Sequence, residues 1–319
     1  MRLPIELSAS GSRRFDVVGL GLNTTDLIAV VAQHPTADTK QPILRLTQSP
    51  GGQAATAMVA CARLGWSASY VGRFGADANA AEGRRSLERD GVDLSAAPSV
   101  DGAANALSMV IVNEQTGQRT VLWTRDPGLA IAPGDISKDH VCAGRVLLVD
   151  CHETAAATTA ARFARAAGVP TVIDVERVRP GIDDLLRNID VIIAAQGFPS
   201  ALTGIGDQGR ALRRLDETYR PALCCVTLGS EGSLSLVNGS EVHTRGFRVP
   251  VVDTTGAGDV FRGGFLAGWL RAAGRAEVDD ILTYANAVAA LKCRRLGARE
   301  GIPQPDEVET LIHGGNARQ

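Results

Sequence analysis

The chain has 319 residues, 45% of them apolar, and a formal net charge of −2, which supplies enough apolar matter for one large or two smaller α/β domains and excludes disorder. That balance leaves no broad electrostatic footprint for nucleic acid or an anionic membrane, and it suits a small anionic ligand. There is no apolar leader after Arg2 and no apolar run of about eighteen residues, and Cys61, Cys142, Cys151, Cys224, Cys225 and Cys293 show neither C-x-x-C nor zinc spacing, so the expectation is a soluble cytoplasmic protein with reduced thiols.

Residues 1–13 read as a loose polar tail. Phe15 to Leu22 reads as a buried strand, and Gly19-Leu20-Gly21 within it offers half of a dinucleotide-binding fingerprint, with Thr24 where the third glycine would stand. An Ala-rich helix is expected from Ala54 to Leu64, entered through Pro50, Gly51 and Gly52. Apolar runs at Ser69–Arg73, Arg145–Val149, Thr171–Val175, Asp190–Ala194 and Ala222–Leu228 alternate with helical patterns such as Ala155–Ala167. Such alternation predicts an α/β fold, a mostly parallel sheet covered by helices on both faces.

Two segments break the rhythm, Ile28–Ser49 and Ala106–Arg125; the second holds two β-rich runs around the turn-prone Asn113–Gln118. They read as antiparallel strands and a hairpin that form a small β lid over the carboxyl edge of the sheet, where open α/β sheets bind ligands. The predicted organisation is a single domain over residues 14–313, with lid segments near 27–50 and 105–126 and tails at 1–13 and 314–319.

The last third is richest in candidate ligand groups. Thr227-Leu228-Gly229-Ser230-Glu231-Gly232 closes an apolar strand with a turn suited to a nucleotide phosphate or ribose. Asp253-Thr254-Thr255-Gly256-Ala257-Gly258-Asp259 then precedes Phe261, Phe265, Leu266, Trp269 and Leu270 at helical spacing, which predicts a helix starting near Asp259. Small residues at 256–258 would let backbone N–H groups and the helix dipole hold an anion, with Asp259 capping the helix and accepting a proton. A capped glycine turn without function is the equal alternative at this point. Asn286 falls on a following helix, and Lys292–Pro303 is basic and glycine-containing. Lys40, Arg125 and His152 lie where they could face a substrate, or be solvated or locally hydrogen-bonded; Arg125 is favoured because a guanidinium at the lid's end suits a polyol or an anionic head group.

In order and content these motifs resemble the ribokinase-like, or PfkB, family of ATP-dependent carbohydrate kinases, over roughly residues 15–312. Gly51-Gly52-Gln53-Ala54-Ala55-Thr56 is similar to its first signature, Asp253–Asp259 to its second and Thr227–Gly232 to its nucleotide turn. Ala290-Leu291-Lys292-Cys293 and Gly297–Pro303 resemble the ketohexokinase-like and sulfofructose-kinase-like branch, which implies a ketose or related sugar. The resemblance makes Asp259 the base, the N–H groups of Gly256, Ala257 and Gly258 the anion cradle, Asp26 the acceptor of a sugar hydroxyl, and Gly51 and Gly52 a lid hinge. It places Thr227, Gly229, Ser230, Gly232, Gly258 and Asn286 on ATP. It also implies Mg2+ and a K+ or Na+ ion held by Asp253, Thr255 and the carbonyls of Lys292, Arg295, Gly297 and Gly301.

Three departures stand out. Thr56 replaces the usual Asn at the end of the first signature, Ala195-Gln196-Gly197-Phe198 replaces the Asn-x-x-Glu that organises magnesium, and Ala80 replaces a glycine near Asp77. The leading expectation is transfer of the ATP γ-phosphoryl group to a small sugar, without nucleic-acid or membrane partners. A homodimer through Val110, Val112, Val121 and Trp123 of the lid is a further expectation. Alternatives are a nucleoside kinase on the same fold, an oxidoreductase on the partial fingerprint, or a non-catalytic sugar or nucleotide sensor.

Overall fold

Runs such as Val146–Val149 and Val191–Ala194 have no polar face, so a stable fold must cover both of their sides. The computed structural model, which describes residues 1–273, 275 and 277–314, does so. In chain order its strands are β1 (Phe15–Leu20), β2 (Thr24–Val31), β3 (Arg45–Gly51), β4 (Ala68–Val71), β5 (Asp93–Ala96), β6 (Leu107–Asn113) and β7 (Arg119–Thr124). They continue as β8 (Gly144–Asp150), β9 (Thr171–Val175), β10 (Val191–Ala195), β11 (Leu223–Thr227), β12 (Ser233–Val237) and β13 (Ser240–Thr244).

The main sheet has the order β13-β12-β11-β10-β9-β8-β1-β4-β5. From β11 to β5 every pairing is parallel; β12 and β13 close one edge as an antiparallel hairpin. Helices pack on both faces and divide the apolar core in two. One half holds Met58, Tyr70, Phe265 and Trp269, the other Leu147, Ile173, Phe198 and Leu215. This is the ribokinase-like doubly wound architecture expected, with the small β-sheet beside it.

The small sheet has the order β3-β2-β6-β7. Its outer pairs are antiparallel as expected, but the central pair β2/β6 is parallel, because the chain crosses the main domain between the two strands instead of turning back on itself. Register puts Asp26, Ile28 and Val30 beside Ser108, Val110 and Val112, and those in turn beside Trp123, Val121 and Arg119, all on the face toward the main sheet. Ile28, Val30, Val110 and Val112 pack there into a small core against Leu296.

Residues 1–13 are not the loose tail that their polarity predicted. Leu3 is 5% exposed within the main core, with Ile5 and Leu7 packed against it. The Met1 carbonyl accepts from the Val278 N–H at 2.7 Å, and the Ser8 carbonyl accepts from Arg145 Nε at 2.9 Å. The period-two spacing of Leu3, Ile5 and Leu7 was the overlooked signal. Of the expected C-terminal tail, residues 315–319 lie outside the described residues. Truncation of the buried side chain in Leu3→Ala is expected to cost about 2–3 kcal/mol in urea unfolding, whereas a free tail would give none.

Candidate active site

The segment 253–259 folds around one carboxylate. Asp253 Oδ1 accepts from the Thr255 N–H and Oδ2 from the Gly297 N–H, each at 2.8 Å. Gly256 then takes φ 75°, and a Cβ there would stand 2.8 Å from that of Ala298, so both the backbone and the space call for glycine. The helix Ala257–Arg271 starts immediately after it.

Gly256, and not Asp259, is therefore the N-cap. Asp259 sits in the first turn, and no side-chain cap bond forms at this helix end. The cap position is filled by a left-handed residue, which leaves the carboxylate free to face the cleft. The Ala257 N–H is taken by the Thr254 carbonyl at 3.2 Å, while among the described residues no backbone partner takes those of Gly256, Gly258 and Asp259. Three such donors at a helix start are arranged as an anion would need them.

Two cavities share this turn as a wall. The first, about 220 Å³, lies under the small sheet and includes Asp26, Gly52, Arg125, His152, Thr255, Gly256 and Asp259. The second, about 460 Å³, includes Thr227, Gly229, Ser230, Gly232, Thr254, Ala257, Gly258 and Asn286, with Phe247, Val249, Val251, Ala289 and Ala290 as apolar walls. Residues dispersed over the sequence thus line two adjoining cavities.

Many arrive in turns beside strand ends, whereas Asp26 lies near the start of β2 and Asn286 within the helix Val278–Lys292. Asp150, the last residue of β8, accepts from the Leu22 N–H at 2.6 Å and the His152 N–H at 2.9 Å, which splays the ends of β1 and β8 around the cleft floor. Gly52, with φ 94°, brings its backbone so close to Asn23 that a Cβ would lie 2.4 Å from the Asn23 Cα. Asn286 Nδ2 donates to the Thr244 carbonyl at 3.2 Å, which seats it against the β12/β13 hairpin.

Electrostatics separate the carboxylates. Asp259 keeps a solvent-facing edge but is otherwise enclosed, and loss of hydration pushes it up to about 6, with Arg262 opposing and Glu176, Asp26 and Asp150 adding to the rise. Burial also raises Asp26, against its hydrogen bond from Thr24 Oγ1 at 3.0 Å. Burial would raise Asp253 as well, but the Lys292 charge and the N–H bonds of Thr255 and Gly297 hold it below its ordinary value. His152 is lowered by burial. Beneath the turn, Arg262 and Asp174 form an ion pair at 3.0 Å, both 3% exposed.

Some expected residues stand elsewhere. Thr56 is fully buried and does not line the cleft; Arg299 Nε donates to its hydroxyl at 3.3 Å. Gly51 lies behind the cleft, its carbonyl accepting from Arg299 Nη2 at 2.7 Å. Arg125 reaches the cleft, yet its charge is met by Glu153 at 2.5 Å and its Nη2 donates to the Leu129 carbonyl. Lys40 is exposed in the loop between β2 and β3 and is not among the cleft residues. Among the described residues no three His, Cys, Asp or Glu side chains gather as a metal centre, and no helix is long and apolar enough to cross a membrane.

Sequence reasoning missed Arg119, Glu176, Arg177 and Arg179, which also face the cleft; Trp123, the aromatic lid residue that the nucleoside-kinase alternative would use for a base, lines it too. Glu176–Arg179 directly follows β9, so its place after a predicted parallel strand was the available signal. Arg119 and Trp123 alternate with outward residues along β7, and only the register shows which set faces inward.

The expected K+ or Na+ site does not fit the residues present. Lys292 Nζ, fully buried, donates to the Asp253 carbonyl at 2.9 Å and stands 3.9 Å from its Oδ2. A metal cation on that carboxylate would share it with an ammonium, so that one buried negative charge would face two positive ones and one of them would be left uncompensated.

A helix start with unpaired N–H groups stands between the cleft under the small sheet and the second cavity, an arrangement suited to phosphoryl transfer. The model of the pfkB family of carbohydrate kinases matches residues 14–305, and the chain belongs to that family and is a carbohydrate kinase. It is 32% identical over 299 residues to an ATP-dependent ribose-1-phosphate kinase of Halopiger xanaduensis, covering 93% of this chain and 97% of that protein. It is 30% identical over 291 residues to a fructokinase of Klebsiella pneumoniae, covering 84% and 93%. The fold also matches, at 23% identity, the Arabidopsis thaliana ribokinase complexed with ribose and ATP, with TM-score 0.78 over 94% of this chain and 99% of that one. The adenosine kinase of Sinorhizobium meliloti matches at 23% identity with TM-score 0.80 over 93% and 99%.

Proposed function

We propose that the chain transfers the γ-phosphoryl group of ATP to a primary or anomeric hydroxyl of a small sugar, a ketose or related compound, that bears an anionic group. The observation that carries this reading is the turn 254–259: Thr255, Gly256 and Asp259 face the lid cleft, while Thr254, Ala257 and Gly258 face the neighbouring cavity. A hydroxyl in the first cavity and a nucleotide in the second would meet across three unpaired N–H groups.

In the step proposed, the sugar oxygen bonds to the γ-phosphorus, the bridging bond to ADP breaks, and the hydroxyl proton passes to Asp259. The N–H groups of the turn oppose the charge spread over the phosphoryl oxygens. Asp26 would orient a second hydroxyl, and the lid strands would exclude water. Mg2+ would keep several waters and one carboxylate when bound to the nucleotide phosphates, and Glu176 at the cleft is the carboxylate that would fit it, leaving Asp259 free to accept the proton; its chemistry would be to neutralise the nucleotide's charge. A nucleophile-accepting base must be ionised. Because burial pushes Asp259 up to about 6, kcat/KM is expected to rise as pH rises through about 6 and to level above it. Asp259→Asn should lose about 10²–10⁴ in kcat, with no such limb and with calorimetric ATP affinity retained. Near-normal turnover of that variant would refute the base.

The anionic group is argued from the cleft's cations. Arg119 and Arg179 have no carboxylate partner among the described residues; Arg119 Nη1 donates to Thr254 Oγ1 at 2.7 Å and Arg179 Nη2 meets His152 Nδ1 at 3.3 Å. Arg179 Nε is buried without a partner. Guanidiniums so placed suit a phosphate, sulfonate or carboxylate, and the Halopiger relative is named for a phosphorylated sugar. In an ATP-consumption panel, phosphorylated, sulfonated or acidic sugars should exceed neutral ketoses and aldoses by about 10-fold in kcat/KM, and Arg179→Ala should raise KM for the charged ones by about 10-fold. Preference for neutral sugars, with Arg179→Ala silent, would sink the anionic reading alone. Trp123, which lines the cleft and is 58% exposed, favours a second reading in which a nucleoside base stacks there. Nucleosides leading the same panel would establish it.

A homodimer through the lid is also proposed, but through its outer face. Val110 and Val112 are buried in the lid's own core, and Val121 and Trp123 face the cleft. On the outer face Met109 stands between Leu27 and Leu122, and Leu46, Met109 and Leu122 are exposed. Burying such a patch against a second copy would cover it. Sedimentation should show a dimer at micromolar concentration and a monomer for Leu122→Asp; a monomeric unsubstituted chain would end this proposal.

A further inference from the structure

The loops at 253–255 and 292–301 are those that the family resemblance equips with a monovalent metal ion, and here a side chain enters the same place. Lys292 ends the helix Val278–Lys292 and is 0% exposed. Its Nζ donates to the Asp253 carbonyl at 2.9 Å and lies 3.9 Å from Asp253 Oδ2. The same carboxylate binds the N–H groups of Thr255 and Gly297 at 2.8 Å, and Gly301 approaches so closely that a Cβ would meet the Lys292 carbonyl oxygen at 2.1 Å. The two loops are thus joined, and the buried carboxylate has its counter-charge, without any further ion.

We propose that the Lys292 ammonium is a built-in cation that replaces exchangeable K+ or Na+ and positions the anion-binding turn from behind. A buried carboxylate with one negative charge is balanced by one positive charge, and a second would be left uncompensated. The side chain is tethered and cannot exchange with the salt, and although burial lowers the Lys292 amine, the Asp253 charge opposes that fall and favours the ammonium. Lys292 acts through Asp253 and touches neither cavity, which makes it a positioning residue.

The test uses the full chain at constant ionic strength in choline, sodium, potassium and thallous salts, read by melting temperature and by KM for ATP. For the unsubstituted chain both readouts should be indifferent to the cation. Lys292→Ala, which opens room beside Asp253, should melt lower in choline and lose at least about 10-fold in kcat/KM. Potassium, thallium or an added small alkylammonium should then restore much of both, in a saturable manner. A saturable response of the unsubstituted chain to potassium would overturn the proposal, as would a folded Lys292→Ala that is unimpaired or that no cation rescues. If Lys292→Ala fails to fold, the response of the unsubstituted chain decides between the two. The melting readout needs no turnover, so it is decided even if no sugar is phosphorylated.

Discussion

The site depends on one buried carboxylate. Asp253 accepts two backbone N–H bonds, one from Thr255 beside it and one from Gly297, 44 residues further along the chain, while the Lys292 ammonium stands beside it. With the Val252 and Asp253 N–H bonds to the Cys293 carbonyl, that clamp holds the turn at Gly256, which is left-handed and pressed against Ala298. The clamp sets the start of the helix Ala257–Arg271, and the helix start sets where its unpaired N–H groups point. Removing hydration from these groups is tolerated because the charges and donors are paired in one geometry.

Around this clamp the fold disposes chemistry by strand ends. β8 ends in Asp150, β9 leads into Glu176–Arg179, and β11 leads into the turn Gly229–Gly232, so one edge of the sheet supplies both cavities. Parallel order makes this possible, since neighbouring strands deliver their carboxyl ends to the same side. The buried Arg262–Asp174 pair beneath the turn serves a different purpose from the exposed arginines of the cleft. Arg262 limits the rise that burial imposes on Asp259, so the carboxyl sits near 6 and is largely ionised at neutral pH.

Much of the main sheet was legible because its strands are continuous apolar runs; Thr171–Val175 is recovered to the residue, and most other ends shift by one or two. The two glycine motifs and the nucleotide turn were legible for a related reason, since Gly52, Gly232 and Gly256 all adopt positive φ that few other residues tolerate. The N-terminal segment was not legible as core, because Leu3, Ile5 and Leu7 are diluted by polar neighbours and find apolar partners only in distant helices. Thr56 was placed in the cleft by its position in a motif, whereas a distant arginine, Arg299, claims its hydroxyl. The pairing of Arg125 with Glu153 likewise joins residues 28 apart, and no local pattern announces it.

By itself the sequence determined the α/β class, the small β-sheet beside the main one and the glycine turn before Asp259, and the order of its motifs carried the family resemblance. These follow from local properties: periodicity, backbone freedom at glycine and the placing of a carboxylate at a helix start. Tertiary structure alone decided the parallel join at the centre of the lid, which face of β7 looks inward, and which arginines remain without a carboxylate. It also decided that the lysine at 292 points its ammonium at Asp253, so that a residue expected to lend only a carbonyl to an ion supplies the positive charge instead. Such outcomes depend on contacts between segments far apart in the chain, and charge neutralisation across them is not encoded in any one segment.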